Sequence, residues 1–136
     1  MVKVQATYQG QKHCLAKHEP SGSTIETDAP KDNQGLGEKF SPTDLLATSL
    51  GTCILTTMAI VADRDNVDIK GSTVEVEKHM TTDGPRRIAA LKIVLKLPKA
   101  IPEDYRKKLN HVADACPVKR SIHPDIEPPH EILYVL

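Results

Sequence analysis

The sequence has no surplus of either charge: 18 Lys and Arg residues stand against 18 Asp and Glu. With no net field to draw the chain to phosphate backbones or anionic lipid, nucleic acid and membrane surfaces are not expected partners. Cysteine is scarce. Cys14, Cys53 and Cys116 form an odd, widely spaced set, unlike the disulfide framework of a small secreted domain and better matched to a reducing cytoplasm. The opening MVKVQATYQGQKH lacks the basic region and apolar run of a signal peptide, so a cytoplasmic location is expected. There is no glycine-rich phosphate loop after a strand and no GxSxG elbow, which removes two large enzyme classes. No repeat, low-complexity tract or linker divides the 136 residues. A chain of this length buries roughly two-thirds of its unfolded surface, so a single domain over residues 1–136 is expected.

What the sequence does have is one long uncharged run, Leu45 to Ala62, inside SPTDLLATSLGTCILTTMAIVAD. Its 18 residues meet the lower limit for a membrane span. Thr48, Ser49, Thr52, Thr56, Thr57 and Gly51 make it a poor one, because hydroxyls and glycine lower its affinity for lipid. A helix apolar nearly all round belongs in a protein core or a subunit interface. Ser41 as cap, Pro42 in the first helical position and Asp44 three residues after Ser41 place its start, and it is expected to run to about Arg64.

Before this helix, VKVQATYQ, KHCLAKH and GSTIETD are short strand-like runs forming an antiparallel meander, followed by a loop over residues 29 to 39. After it, Val74, Val76 and Met80 alternate with Glu75, Glu77 and His79. Across the turn TTDGPRR, Arg87, Ala89, Leu91, Ile93, Leu95 and Leu97 share the other strand's covered face, which makes a hairpin. IPEDYRKKLNHVADAC then forms an amphipathic helix with Tyr105, Leu109, Val112 and Cys116 at helical spacing, and EILYVL is a last strand. The fold class is α+β: antiparallel sheets packed around a long central helix, with a second, amphipathic helix.

Cys53 sits mid-helix, where a cysteine ordinarily acts as a small hydrophobe. Cys116 precedes Pro117, so it ends one helix and caps another, a setting that favours thiolate, and Lys119 and Arg120 add to that field. Cys14, in a strand, is read as structural. His13, Cys14 and His18, or His111, Cys116 and His123, lack the paired-ligand spacing of zinc sites, so no metal and no cofactor is expected.

FSPTDLLATSLGTC opening a long helix, with ACPVKRSI about 60 residues later, resembles the OsmC/Ohr family of thiol peroxidases over essentially the whole chain. The variant segment PSGSTIETDAPKDNQGLGEKFSPTDLL is similar to the general OsmC-like branch. The resemblance implies an intertwined homodimer with a site at each subunit interface. There the cysteine matching Cys53 attacks an organic hydroperoxide and becomes a sulfenic acid. The one matching Cys116 resolves it to a disulfide, which a lipoylated protein or a small thiol reduces. It also implies a supporting arginine from the N-terminal arm and a glutamate after the motif proline. Here Thr43 follows Pro42, with Asp44 one further on, and no arginine precedes Arg64; Lys12, His13, Lys17 and His18 are the basic residues near the arm. Arg87, on the covered face of its strand and able in a dimer to reach the partner's Cys53, and Asp44 are the candidate supporting residues. The alternative function is a non-catalytic dimer of the same fold that binds a small molecule or senses redox state.

Overall fold

The computed structural model describes all residues from 1 to 136, in two compact units, Met1–Leu46 and Ala47–Leu136. The first holds the antiparallel meander: β1 (Val4–Gly10), β2 (His13–His18) and β3 (Thr24–Asp28), in that spatial order. Gly10 pairs with His13 across a two-residue turn, in which both Gln11 (φ 51°) and Lys12 (φ 59°) are left-handed. That is the backbone of a type I′ hairpin, whose twist matches the strands it joins. Bonds from the Lys12 N–H to the Tyr8 hydroxyl (3.3 Å) and from the Ala29 N–H to the Lys12 carbonyl (3.1 Å) hold it.

Register aligns Val4, Ala6 and Tyr8 of β1 with Cys14 and Ala16 of β2 and Ile25 of β3 on one face. This face, which also carries His18 and the buried Thr27, leaves its apolar side chains open: Val4, Tyr8 and Ile25 are 65%, 66% and 49% exposed. The other face is charged. His13 bonds the Asp28 carboxylate at 2.7 Å and approaches Glu26 at 3.2 Å, and Glu26 meets Lys39 at 3.3 Å. The loop after β3 folds back tightly, with Gly35 so close to the Ala29 carbonyl that a Cβ would lie 1.7 Å from its oxygen. Phe40 then bridges Thr27 and delivers the chain to the long helix.

That helix, α1 (Pro42–Arg64), starts with the expected reciprocal cap. The Ser41 N–H donates to the Asp44 carboxylate (2.8 Å) and the Asp44 N–H to the Ser41 hydroxyl (3.1 Å). It ends at Asn66, left-handed at φ 56°, with the Val67 N–H reaching back to the Ala62 carbonyl. By length and composition, with a mean hydropathy of 1.9, α1 also meets the requirement for a membrane span. Its buried stripe, however, is a protein contact: Gly51 faces the strand that follows so closely that a Cβ would lie 2.8 Å from Val76 and 3.2 Å from Val74. The helix is less covered than expected. Only 33% of its apolar window is buried, and Leu45, Leu46, Leu55 and Ala59 are half-buried while Ile60 is 49% exposed.

The second unit carries the rest of α1, then β4 (Thr73–Met80), β5 (Ile88–Leu97), α2 (Glu103–Asp114), α3 (Pro117–Ser121) and β6 (His130–Tyr134). β4 and β5 form the expected hairpin. β6 runs parallel to β5, so this sheet is mixed rather than wholly antiparallel. A parallel neighbour requires a crossover of a dozen or more residues, and α2 with α3 supplies one. Alternation along β5 buries Leu91, Ile93, Leu95 and Leu97, but a bulge opposite His79 and Met80 shifts the register. Ile88 takes the covered position in place of Ala89, and Arg87 is turned out to solvent. Leu50, Ile54 and Met58 of α1, the β5 leucines, and Leu109 and Ala113 of α2 make the core. Tyr105 and Lys108 of α2 both reach the Asp65 carboxylate at 2.6 Å, which fastens α2 to the end of α1.

Candidate functional site

Cys53 lies beside the buried stripe of α1, not on it. Leu50, Ile54 and Met58 face the core, and Cys53 sits at its edge, half-buried. Thr57, one turn on, donates its hydroxyl to the Cys53 carbonyl at 2.7 Å and lies 4.0 Å from the Cys53 sulfur.

Cys116 comes from the connection between β5 and β6. It follows α2 and is the residue immediately before α3, with extended backbone at φ −56° and Pro117 in the first helical position, as the sequence predicts. It is fully buried, at 0% exposure. The two thiols lie close enough for each to shift the other's proton affinity, and both are free of any disulfide. The backbone N–H of Val118 faces both sulfurs, and that of Lys119 faces Cys116.

These contacts polarise the pair. Burial pushes the Cys53 thiol up, but hydrogen bonds from Cys116, the Val118 amide and Thr57 together outweigh it and leave Cys53 below its ordinary value. Burial and the bond to Cys53 push Cys116 above its ordinary value, against the amides of Lys119 and Val118. The pair is therefore unequal: Cys53 gives up its proton more readily than an ordinary thiol and Cys116 less readily.

Of the residues singled out in the sequence, Cys53 and Cys116 are thus together. Asp44 caps α1 about 13 Å along the helix axis from Cys53. Arg87 is exposed at the start of β5, its guanidinium donating to the Ile88 carbonyl at 3.0 Å. Thr43 bonds Ser41 at 3.0 Å, and His18 bonds Ser21 at 2.6 Å. His13 and Cys14 point to opposite faces of β2, and His111 and His123 are exposed while Cys116 is buried; no group of three metal-ligating side chains converges. Two participants escaped the sequence reading. Thr57 was seen only as one hydroxyl among five, although its place one turn after Cys53 marks it. The Val118 amide has no side-chain signal at all.

A meander, a long helix, a hairpin and a crossover back to a parallel strand, with one thiol on the long helix and one within the crossover, define the OsmC-like class. The sequence matches the family model for OsmC-like protein over residues 35–130. The chain belongs to the OsmC family. Its structure is similar to that of a Psychrobacter arcticus protein provisionally named as an osmotic stress induced and detoxification response protein. The two are 45% identical with a TM-score of 0.91, over 97% of this chain and 96% of that one. The fold also matches the Legionella pneumophila organic hydroperoxide resistance protein OsmC (15% identity, TM-score 0.74, 98% and 96% covered). An organic hydroperoxide resistance protein of Bacillus subtilis matches as well (18%, 0.70, 97% of each). No curated protein matches the sequence.

Proposed function

We propose that the protein, read as a single OsmC-like domain over residues 1–136, is a cysteine-dependent peroxidase that reduces organic hydroperoxides in oxidative-stress defence. The observation that carries this reading is the meeting of two free thiols, half-buried Cys53 on α1 and buried Cys116 just before α3. The Cys53 thiolate attacks the terminal oxygen of the hydroperoxide; the O–O bond breaks, the alkoxide leaves and takes a proton from water, and Cys53 becomes a sulfenic acid. The Cys116 sulfur then attacks the Cys53 sulfur, an S–S bond forms, and hydroxide departs with the Cys116 proton as water. A dithiol, lipoylated or small, returns two electrons and two protons and is itself oxidised to a disulfide.

Structural neighbours named for organic hydroperoxide resistance support the substrate class. The uncovered apolar side of α1 and the open face carrying Val4, Tyr8 and Ile25 support a homodimer, since a second copy would cover both. Two reduced thiols accord with the cytoplasm. In this reading the Val118 amide does at Cys53 part of what the family arginine does elsewhere. Arg87 is the candidate cation for the partner's Cys53; Arg87→Ala slowing peroxide consumption in an intact dimer is its test.

A second reading has its own support. Thr43 at the family's glutamate position and the lack of any arginine before Arg64 favour a non-catalytic dimer that binds a small molecule or senses redox state. Titration of the reduced protein with cumene hydroperoxide and hydrogen peroxide, with thiol counting and disulfide mapping, separates the two. Rapid formation of an intrachain Cys53–Cys116 bond, lost in Cys53→Ser, is expected of the peroxidase. Reaction no faster than that of a free thiol would decide for the second reading.

A further inference from the structure

The segment that presents Cys116 and the Val118 amide is α3, only five residues long. A helix this short does not hold itself together in water, because nucleation costs more than one turn of hydrogen bonds returns. Its orientation has to be fixed from outside.

The fixing contacts centre on Lys119, whose side chain is only 17% exposed. Its ammonium donates to the Asp114 carboxylate at 2.6 Å and lies 3.5 Å from His130 Nδ1, which is itself 3.6 Å from Asp114. Asp114 is the last residue of α2 and His130 the first of β6. One ammonium therefore ties α3 to the end of α2 and the start of β6. A lysine so far withdrawn from water is rare unless paired, and the Lys119 ammonium in turn holds the Asp114 carboxyl below the usual carboxylate range.

We propose that Lys119, clasped between Asp114 and His130, is a positioning residue for disulfide closure: it fixes the first turn of α3 so that Cys116 and the Val118 amide stay directed at Cys53. Disulfide geometry is narrow in both sulfur separation and dihedral angle, so a segment free to tilt spends less time within it. The proposal rests on the assignment of Cys53 and Cys116 as the reacting pair, but its test does not need the peroxidase reaction. Diamide closes a dithiol on its own. One thiolate adds across its N=N bond, the second sulfur displaces the adduct, and the two thiols form S–S while diamide is reduced to the hydrazine.

The closure rate after mixing with diamide is read by quenching with a maleimide and mass spectrometry. Lys119→Met, which keeps the buried stem, is expected to close about tenfold more slowly than wild type, the factor that about 1.4 kcal/mol represents. Lys119→Arg should recover most of that loss, and Asp114→Asn should slow closure in the same direction should Lys119→Met fail to fold. A Lys119→Met protein with native circular dichroism that closes at the wild-type rate would overturn the proposal. So would an Arg variant as slow as Met. A wild type that closes readily with diamide but ignores hydroperoxides overturns the peroxidase reading instead and leaves the clasp to be judged by its own variants.

Discussion

The backbone N–H of Val118 faces the Sγ of Cys53, setting the first turn of α3 against the middle of α1. The same amide also serves Cys116, so a single peptide group serves both sulfurs. Because an amide donor stabilises charge on whichever sulfur carries it, the asymmetry must come from the rest of the surroundings. Cys116 is sealed in the core, whereas Cys53 is half-buried and has Thr57 beside it.

The two thiols should therefore titrate apart. Alkylation of the reduced protein by iodoacetamide, followed by peptide mass spectrometry against pH, is expected to label Cys53 at lower pH than Cys116 and below the usual thiol range. Replacing Cys116 with Ala removes a donor to the Cys53 thiolate, so the Cys53 profile should shift upward. A profile unmoved by Cys116→Ala would mean that the sulfurs do not share a proton.

Thr57 is expected to tune the same group. Thr57→Val removes, at nearly constant volume, a hydroxyl whose proton can turn from the Cys53 carbonyl to the sulfur 4.0 Å away, and should raise the Cys53 titration, slowing its alkylation at neutral pH by a few-fold. Thr57→Ser keeps the donor and should leave the profile near wild type. Equal behaviour of the Val and Ser variants would assign the hydroxyl to helix packing alone.

Gly51 sets how closely α1 lies on β4. A methyl group there would meet Val76 at 2.8 Å and Val74 at 3.2 Å, and neither branched side chain has a flexible end to move aside. Gly51→Ala should destabilise the protein by about 1–3 kcal/mol in urea unfolding, despite alanine's better helix propensity. An unchanged or raised unfolding midpoint would show that the helix can lift without loss.

The His13–Asp28 pair makes the stability of the meander depend on pH. Bonding to Asp28 raises the His13 pKa above 6.5, so its contribution is complete below that value and lost as pH rises through the folded-state pKa. Bonding to His13 lowers the Asp28 pKa below 3.8, so its contribution is complete above that value and lost as pH falls through the folded-state pKa. Both act in full between about pH 4 and pH 6.5. In NMR titration the His13 ring should titrate above 6.5, and Asp28→Asn should bring it back down; a His13 indifferent to Asp28→Asn would remove the pair from the account.

Much of this was legible because it is local. The Ser41–Asp44 cap and Pro117 opening α3 each follow from residues within a few positions of one another, whereas the stripe read through Val112 to Cys116 fails because α2 ends at Asp114 and buries Ala113 instead of Val112. The parallel sense of β6 was not legible, since strand direction depends on where a crossover lands and not on the pattern within EILYVL. Nor was the bulge beside Ala89. An alternation read through RIAALKIVLKL puts Arg87 with the leucines, and one extra residue opposite His79 and Met80 reverses that assignment. The approach of Cys53 to Cys116 lay between these cases: family resemblance implied it, while periodicity could only say that each thiol turned inward.

The unequal exposure of the two sulfurs also dictates how the proposed cycle is reset. An incoming thiol attacks a disulfide in line with the S–S axis and needs open approach to the sulfur it strikes, and Cys116 offers none. Rescue must enter at Cys53, so the transient mixed disulfide with the donor forms there, and the Cys116 thiolate is expelled back into the core. Its raised proton affinity makes it a reluctant leaving group. Regeneration, not peroxide attack, is then the step that a compact, strongly reducing dithiol would be selected to accelerate.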